Sequence, residues 1–171
     1  KNFLKNIMKN IIITITILLS TYATAQVAIG KASFSSNSVS LEFGNENRGF
    51  ILPWVTNTTN VTGAVNGTIV YNTTDKKVYV KYASGWKDLS VDTTGAADTS
   101  LQNPLSDVAS AKVMIGGNPT TDTTPGVLIL ADTNKAMILP KVASPHLNIV
   151  NPSPGMMVYD TTAKQLAIFN G

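Results

Sequence analysis

The sequence predicts an all-β fold: two tandem copies of a small β-hairpin-rich module joined by a flexible linker. Two observations carry this. The chain repeats itself. Arg48-Gly49-Phe50-Ile51-Leu52-Pro53-Trp54-Val55 returns as Lys135-Ala136-Met137-Ile138-Leu139-Pro140-Lys141-Val142. Gly67-Thr68-Ile69-Val70-Tyr71-Asn72-Thr73-Thr74 returns as Gly155-Met156-Met157-Val158-Tyr159-Asp160-Thr161-Thr162. The blocks are offset by 87 and 88 positions, so register holds within one residue. Val27-Ala28-Ile29-Gly30 against Val113-Met114-Ile115-Gly116 adds a third pair, offset 86. Repetition at this scale means copies of one structural unit. The second observation is that strand patterns dominate after residue 25, with no long amphipathic helix.

In chain order, residues 1–25 read as a secretory signal peptide. Lys5 and Lys9 form the basic start, Ile11 to Leu19 the apolar middle, and Ala23-Thr24-Ala25 the small-residue cleavage box. The apolar stretch is shorter than the ~20 residues of a membrane span, which argues against the alternative of a retained anchor. The segment also decides the charge. Lys1, Lys5 and Lys9 are three of the chain's 13 basic residues, and none of its 10 acidic ones lies there, so the mature chain is expected to be neutral. No basic stripe then remains for nucleic acid, and no polybasic surface for lipid.

Copy 1 spans residues 26–90. Leu41 to Phe43 is a strand candidate. The run Phe50 to Leu52 ends at Pro53, which cannot donate to a ladder, so it reads as an edge strand or strand end. Thr68 to Tyr71 and Lys77 to Tyr82 flank a turn-rich bridge and predict a β-hairpin. Val78, Val80 and Tyr82 alternate as one buried face. Residues 91–111 are small and polar, and read as the linker, with a short helix at Leu105 to Ala111 as the alternative. Copy 2 spans 112–171. Its strands are expected at Val127 to Leu130, Met137 to Leu139, Met156 to Tyr159 and Gln165 to Phe169. The loop 143–154 could hold one helical turn. The Trp-bearing segment Ser84-Gly85-Trp86 has no counterpart before Gly171, so copy 2 reads as incomplete.

Modules of about 60 residues bury only ~60% of their unfolded surface and are marginal alone. The chain has no cysteine, so disulfides, thiolate metal sites and cysteine catalysis are excluded. The remaining remedies are stacking on the neighbouring copy and oligomerisation, and both are expected.

The pattern Arg/Lys-Gly/Ala-Phe/Met-Ile-Leu-Pro, a loop, then Gly-x-x-Val-Tyr-Asn/Asp-Thr-Thr resembles a repeat module of Bacteroidetes secreted surface proteins. That module reads Gly-Phe-Leu-Pro-Pro-Arg-Met, Gly-x-x-Val-Tyr-Asn-Thr and Tyr-Asn-Gly-x-x-Trp. Residues 44–88 match one module and 131–171 most of a second. Trp54 and Lys141 depart from it after the first proline. The resemblance implies export to the cell surface or the periplasmic side of the outer membrane, in adhesin-like or fibre-like proteins, and no catalytic activity. Asp-Thr-Thr at Asp92, Asp122 and Asp160 resembles the O-glycosylation signal of exported proteins in that group, which would place modification at Thr93, Thr123 and Thr161.

No reaction chemistry stands out, and no cofactor is expected. His146 is the only histidine and lies in a Pro-bounded loop without a nearby carboxylate in sequence. The linker aspartates lack the every-second-residue spacing of a calcium loop. Gly116-Gly117 has no phosphate-loop lysine after it. The sequons at Asn57, Asn60, Asn66 and Asn72 read as turn chemistry. The leading expectation is a non-enzymatic exported structural or adhesive component: a fibre, stalk or accessory subunit of a cell-envelope assembly. It would act as a homo-oligomer or within a larger envelope complex, with Trp54, Tyr82 and Trp86 as candidate contacts. The alternative is a glycan-binding module using Trp54, Trp86 and loop 56–66.

Overall fold

The computed structural model describes residues 2–20, 25–108 and 110–171. Ala23 and Thr24 of the expected cleavage box lie outside them. Helix α1 (Asn2–Ser20) carries the N-terminal apolar run. Its side chains Phe3, Leu4, Met8 and Ile12 are exposed, so they contribute nothing to a core. Among the described residues no helix is long and apolar enough to cross a membrane.

The rest is β structure. Copy 1 carries β1 (Val27–Ile29), β2 (Val39–Phe43), β3 (Phe50–Ile51), β4 (Trp54–Val55), a 3-10 turn (Thr58–Asn60), β5 (Ile69–Asn72), β6 (Lys77–Tyr82) and β7 (Gly85–Asp88). Copy 2 carries β8 (Val113–Ile115), β9 (Leu128–Leu130), β10 (Ala136–Ile138), β11 (Lys141–Val142), one helical turn α2 (Pro145–Asn148), β12 (Met156–Asp160) and β13 (Gln165–Ile168). The protein is all-β apart from α1 and these short turns.

The two copies use the same local devices. In each, a parallel pair opens the unit: β1 on β2, with Val27 opposite Leu41, and β8 on β9, with Val113 opposite Leu128. In each, the Leu-Pro turn sends the chain onto its own hairpin. The Pro53 carbonyl accepts from Tyr71 N–H at 2.9 Å, and the Pro140 carbonyl from Tyr159 N–H at 2.9 Å. Strands β4 and β11 thereby pair in parallel with β5 and β12. The hairpin turns are built alike too. Asn72 Oδ1 accepts the Thr74 N–H at 3.0 Å, and Asp160 Oδ1 accepts the Thr162 N–H at 2.8 Å. Such side-chain-to-backbone bonds close a turn locally. Both turns leave through a lysine in the left-handed region, Lys76 at φ 58° and Lys164 at φ 55°.

Period two is visible in β6, where Val78 and Val80 are buried and their neighbours are not. Tyr82, expected to continue that face, is exposed because β6 ends there against the turn into β7. The expected helical turn in loop 143–154 is α2. Residues 105–108 are not helical. The linker segment divides: Gly95 is buried and Ala97 packs on the core, while Leu101, Leu105 and Val108 are exposed.

The copies do not stand apart. The first sheet has the order β1-β2-β10, so a strand of copy 2 completes the sheet of copy 1. Conversely β3 of copy 1 pairs antiparallel with β12 of copy 2. One core cluster, Leu52, Tyr71, Val78 and Met157, draws on both. Each such side chain contributes ~1.5–3 kcal/mol when fully buried. Met137, Leu139 and Ile168 of copy 2 pack against this cluster beside Phe50, Trp54 and Ile69 of copy 1, so the interleaved strands share one apolar core.

Candidate assembly interface

The joint between the copies is made by two strand pairings and the side chains around them. It rests on the two Leu-Pro strands, each of which leaves its own unit. Strand β10 lies parallel to β2, setting Ala136 opposite Val39, Met137 opposite Leu41 and Ile138 opposite Glu42. A bulge falls between Ala136 and Met137. The Ala136 N–H donates to the Ser38 carbonyl at 2.9 Å. Beside it the Ser40 hydroxyl donates to Asp132 Oδ2 at 2.8 Å. Flanked on both edges, β2 is buried from Val39 through Glu42, as expected of a central parallel strand.

Strand β3 sets Ile51 opposite Met156 and Phe50 opposite Met157. The Leu52 N–H donates to the Gly155 carbonyl at 3.0 Å. Gly155 has φ +75°, and a Cβ there would lie 3.0 Å from Cβ of Tyr71, so the glycine allows close approach. Trp54 follows: its indole packs on Tyr71 with ring centroids 6.1 Å apart, and its Nε1 donates to the Pro154 carbonyl at 2.8 Å. The Tyr71 hydroxyl donates to the Asn170 carbonyl at 2.5 Å. Burial raises the Tyr71 phenol pKa.

Two acidic groups are set inside the sheets. Glu42 is buried in β2, where the Lys31 ammonium and the Ser35 N–H hold its carboxyl down to about 2. Its counterpart in copy 2 is the apolar Ile129. Asp160 is buried at the end of β12. Burial pushes its carboxyl up, but the N–H groups of Ala163, Thr162 and Ser144 outweigh that and hold it below the usual range.

The other sequence candidates are dispersed. Trp86 is half-buried on β7 opposite Lys81, and Tyr82 is exposed at the tip of the same pair. The described aromatic pairs are Phe43–Phe50 and Trp54–Tyr71, and neither joins Trp54 to Trp86. In loop 56–66, Asn57 Oδ1 caps the 3-10 turn by accepting from Thr59 N–H at 3.0 Å. His146 lines an apolar cavity of about 210 Å³ between loop 143–154 and the β12–β13 hairpin. Among the described residues no group of three or more His, Cys, Asp or Glu is placed to hold a metal ion. Thr93, Thr123 and Thr161 are all exposed. The Tyr71, Pro154 and Asn170 contacts were not anticipated from the sequence. Val-Tyr recurring in both copies was the available signal for Tyr71.

Short strands that leave their own unit to join another's sheets define a class: structural β proteins whose units are joined by strand addition. The chain belongs to the family described as Phage tail like trimerisation region, which it matches over residues 28–103 and 116–171. The first span covers copy 1 and the linker as far as residue 103, and the second lies within copy 2. It is thus a structural, fibre-like, oligomer-forming component. No curated protein and no solved structure matches the chain.

Proposed function

We infer that this chain is a non-enzymatic structural subunit that trimerises to build a fibre or stalk of an exported cell-envelope assembly. The observation that carries the reading is the exchange of Leu-Pro strands between units. Each copy takes one strand of the other into one of its sheets, so these units are built to pair by strand addition. The family supports three as the number of chains. Export is supported by the basic, apolar and small-residue order of residues 1–25, and surface placement by the resemblance of the repeat to secreted modules. Native mass spectrometry of the chain from residue 26 onward tests the core of this reading. Three chains per particle are expected, and a monomer at high concentration would overturn it. Fractionation of the native host tests the setting: the chain is expected in the cell-envelope or extracellular fraction, beginning at Gln26.

A further inference from the structure

The joint between the copies is not reciprocal. Copy 2 places β10 on β2 of copy 1, and copy 1 places β3 on β12 of copy 2. Two units related by a two-fold would also place β3 on β9, the counterpart of β2, and β10 on β5, the counterpart of β12. Neither pairing occurs among the described residues, and β9 pairs with β8 alone.

The backbone shows that each Leu-Pro strand is made to serve two neighbours. Successive N–H groups of a strand point to opposite edges. Leu52 N–H points at β12, and Ala136 N–H points at β2. Ala136 corresponds to Gly49, which is an odd number of residues from Leu52. One set of amides therefore serves a first sheet, and the alternate set serves a hairpin. Among the described residues β3 pairs only with β12 and β10 only with β2, which leaves the first-sheet set of β3 and the hairpin set of β10 without a strand partner. A closed ring of such units uses both: each Leu-Pro strand lies between the first sheet of one neighbour and the hairpin of the other. The two copies in this chain occupy two consecutive places of such a ring and leave the next place to another chain, so that three chains supply six places.

Exposure marks the empty place. Ser40 on β2 is 1% exposed, whereas Val127, its counterpart 87 positions on and the residue leading into β9, is 60% exposed. A Cβ on Gly155 would meet Tyr71 and Trp54, while one on its counterpart Gly67 would meet nothing within 4 Å.

We propose that the open edge of β9 is covered by the β3 Leu-Pro strand from a second copy of this chain, paired in parallel, with its Phe50 opposite Leu128. The register is that of Met137 opposite Leu41 within one chain. The inference rests on the trimer reading and adds the edge and the register to it.

The chain lacks cysteine, so introduced thiols report one contact each. Full chains carrying Leu128→Cys are mixed with chains carrying either Phe50→Cys or Met137→Cys and mildly oxidised, with Leu130→Cys as the out-of-register control. Directly opposed positions satisfy disulfide geometry, so the Phe50→Cys mixture should link chains at least about fivefold more than its control. Linkage through Phe50, with copy 1 of one chain seated on copy 2 of the next, supports the proposal; linkage through Met137 instead would take β10 off β2 and counts against it. A trimer by native mass with no linkage above control overturns the edge while leaving the trimer reading standing. A monomer overturns both. Val127→Lys provides a second route, because the exposed side chain can change without disturbing a single chain. Unchanged circular dichroism with at least about tenfold weaker association is expected, and association undiminished by the lysine counts against the proposal.

Discussion

The indole nitrogen of Trp54 donates a 2.8 Å hydrogen bond to the carbonyl oxygen of Pro154, 100 positions later in the chain. The bond crosses from copy 1 to copy 2, and the same ring packs on Tyr71 of its own hairpin. From sequence, Trp54 reads as a contact with another chain or a sugar, so Trp54→Ala would weaken assembly more than stability. Its place at the joint changes the expectation. Trp54→Phe should lose about 1 kcal/mol by giving up the hydrogen bond. Trp54→Ala should lose about 3 kcal/mol by removing the ring as well. Urea unfolding of the full chain measures both. A Trp54→Ala chain with an unchanged midpoint would mean that the ring does not fasten the copies.

The hairpins were legible because they are local. β-branched and aromatic runs flank an Asx-type turn, and the pattern appears twice, at 69–82 and 156–168. The Leu-Pro strands were legible as edge strands because proline ends them. What pairs with them was not. Nothing in Phe50-Ile51 or Met137-Ile138 tells a strand which sheet to join, since pairing partners about one hundred residues away leave no periodic trace. The buried Glu42 was illegible for a related reason. Its ion partner Lys31 lies outside any motif, and its counterpart in copy 2 is an isoleucine.

Glu42 makes a prediction about acid. The Lys31 ammonium and the Ser35 N–H lower its folded pKa from 4.5 to about 2. A carboxyl depressed on folding contributes stability that is full above its unfolded value and is lost as pH falls through the folded one. The chain should therefore weaken progressively between about pH 5 and pH 2. Asp160, also lowered, acts in the same direction. Glu42→Gln should flatten this acid limb while lowering stability at neutral pH, because Lys31 loses its partner. Urea midpoints at pH 6 and pH 3 for the two chains check the sign.

The paired glycines at the hairpin entrances predict unequal effects from one substitution. Both lie at positive φ, Gly67 at 89° and Gly155 at 75°. Alanine at either strains the backbone by about 1 kcal/mol. At Gly155 the added methyl also meets Tyr71 at 3.0 Å and Trp54 Nε1 at 3.4 Å, so the joint must shift. Gly155→Ala should therefore unfold at a lower temperature than Gly67→Ala in dilute chains. Equal melting temperatures would mean that the entrance of β12 does not bear on copy 1.

The Asp-Thr-Thr triplets carry the last prediction, because the structure separates their two readings atom by atom. In each, the aspartate Oδ1 accepts the N–H of the third residue: Thr94 at 3.2 Å, Thr124 at 2.8 Å and Thr162 at 2.8 Å. The turn therefore needs the aspartate and the backbone, and leaves the middle threonine side chain exposed. Replacing Thr93, Thr123 and Thr161 together with alanine should leave circular dichroism and the melting temperature nearly unchanged. If the triplets are O-glycosylated as their resemblance implies, the chain from its native host should be heavier than its sequence, and the triple alanine chain should lose the excess. Asp160→Ala is the complementary change, since it removes the acceptor of three N–H groups and should destabilise copy 2 whether or not Thr161 carries a sugar. A native mass equal to the sequence mass, with Asp160→Ala still destabilising, would leave the triplets as turn elements alone.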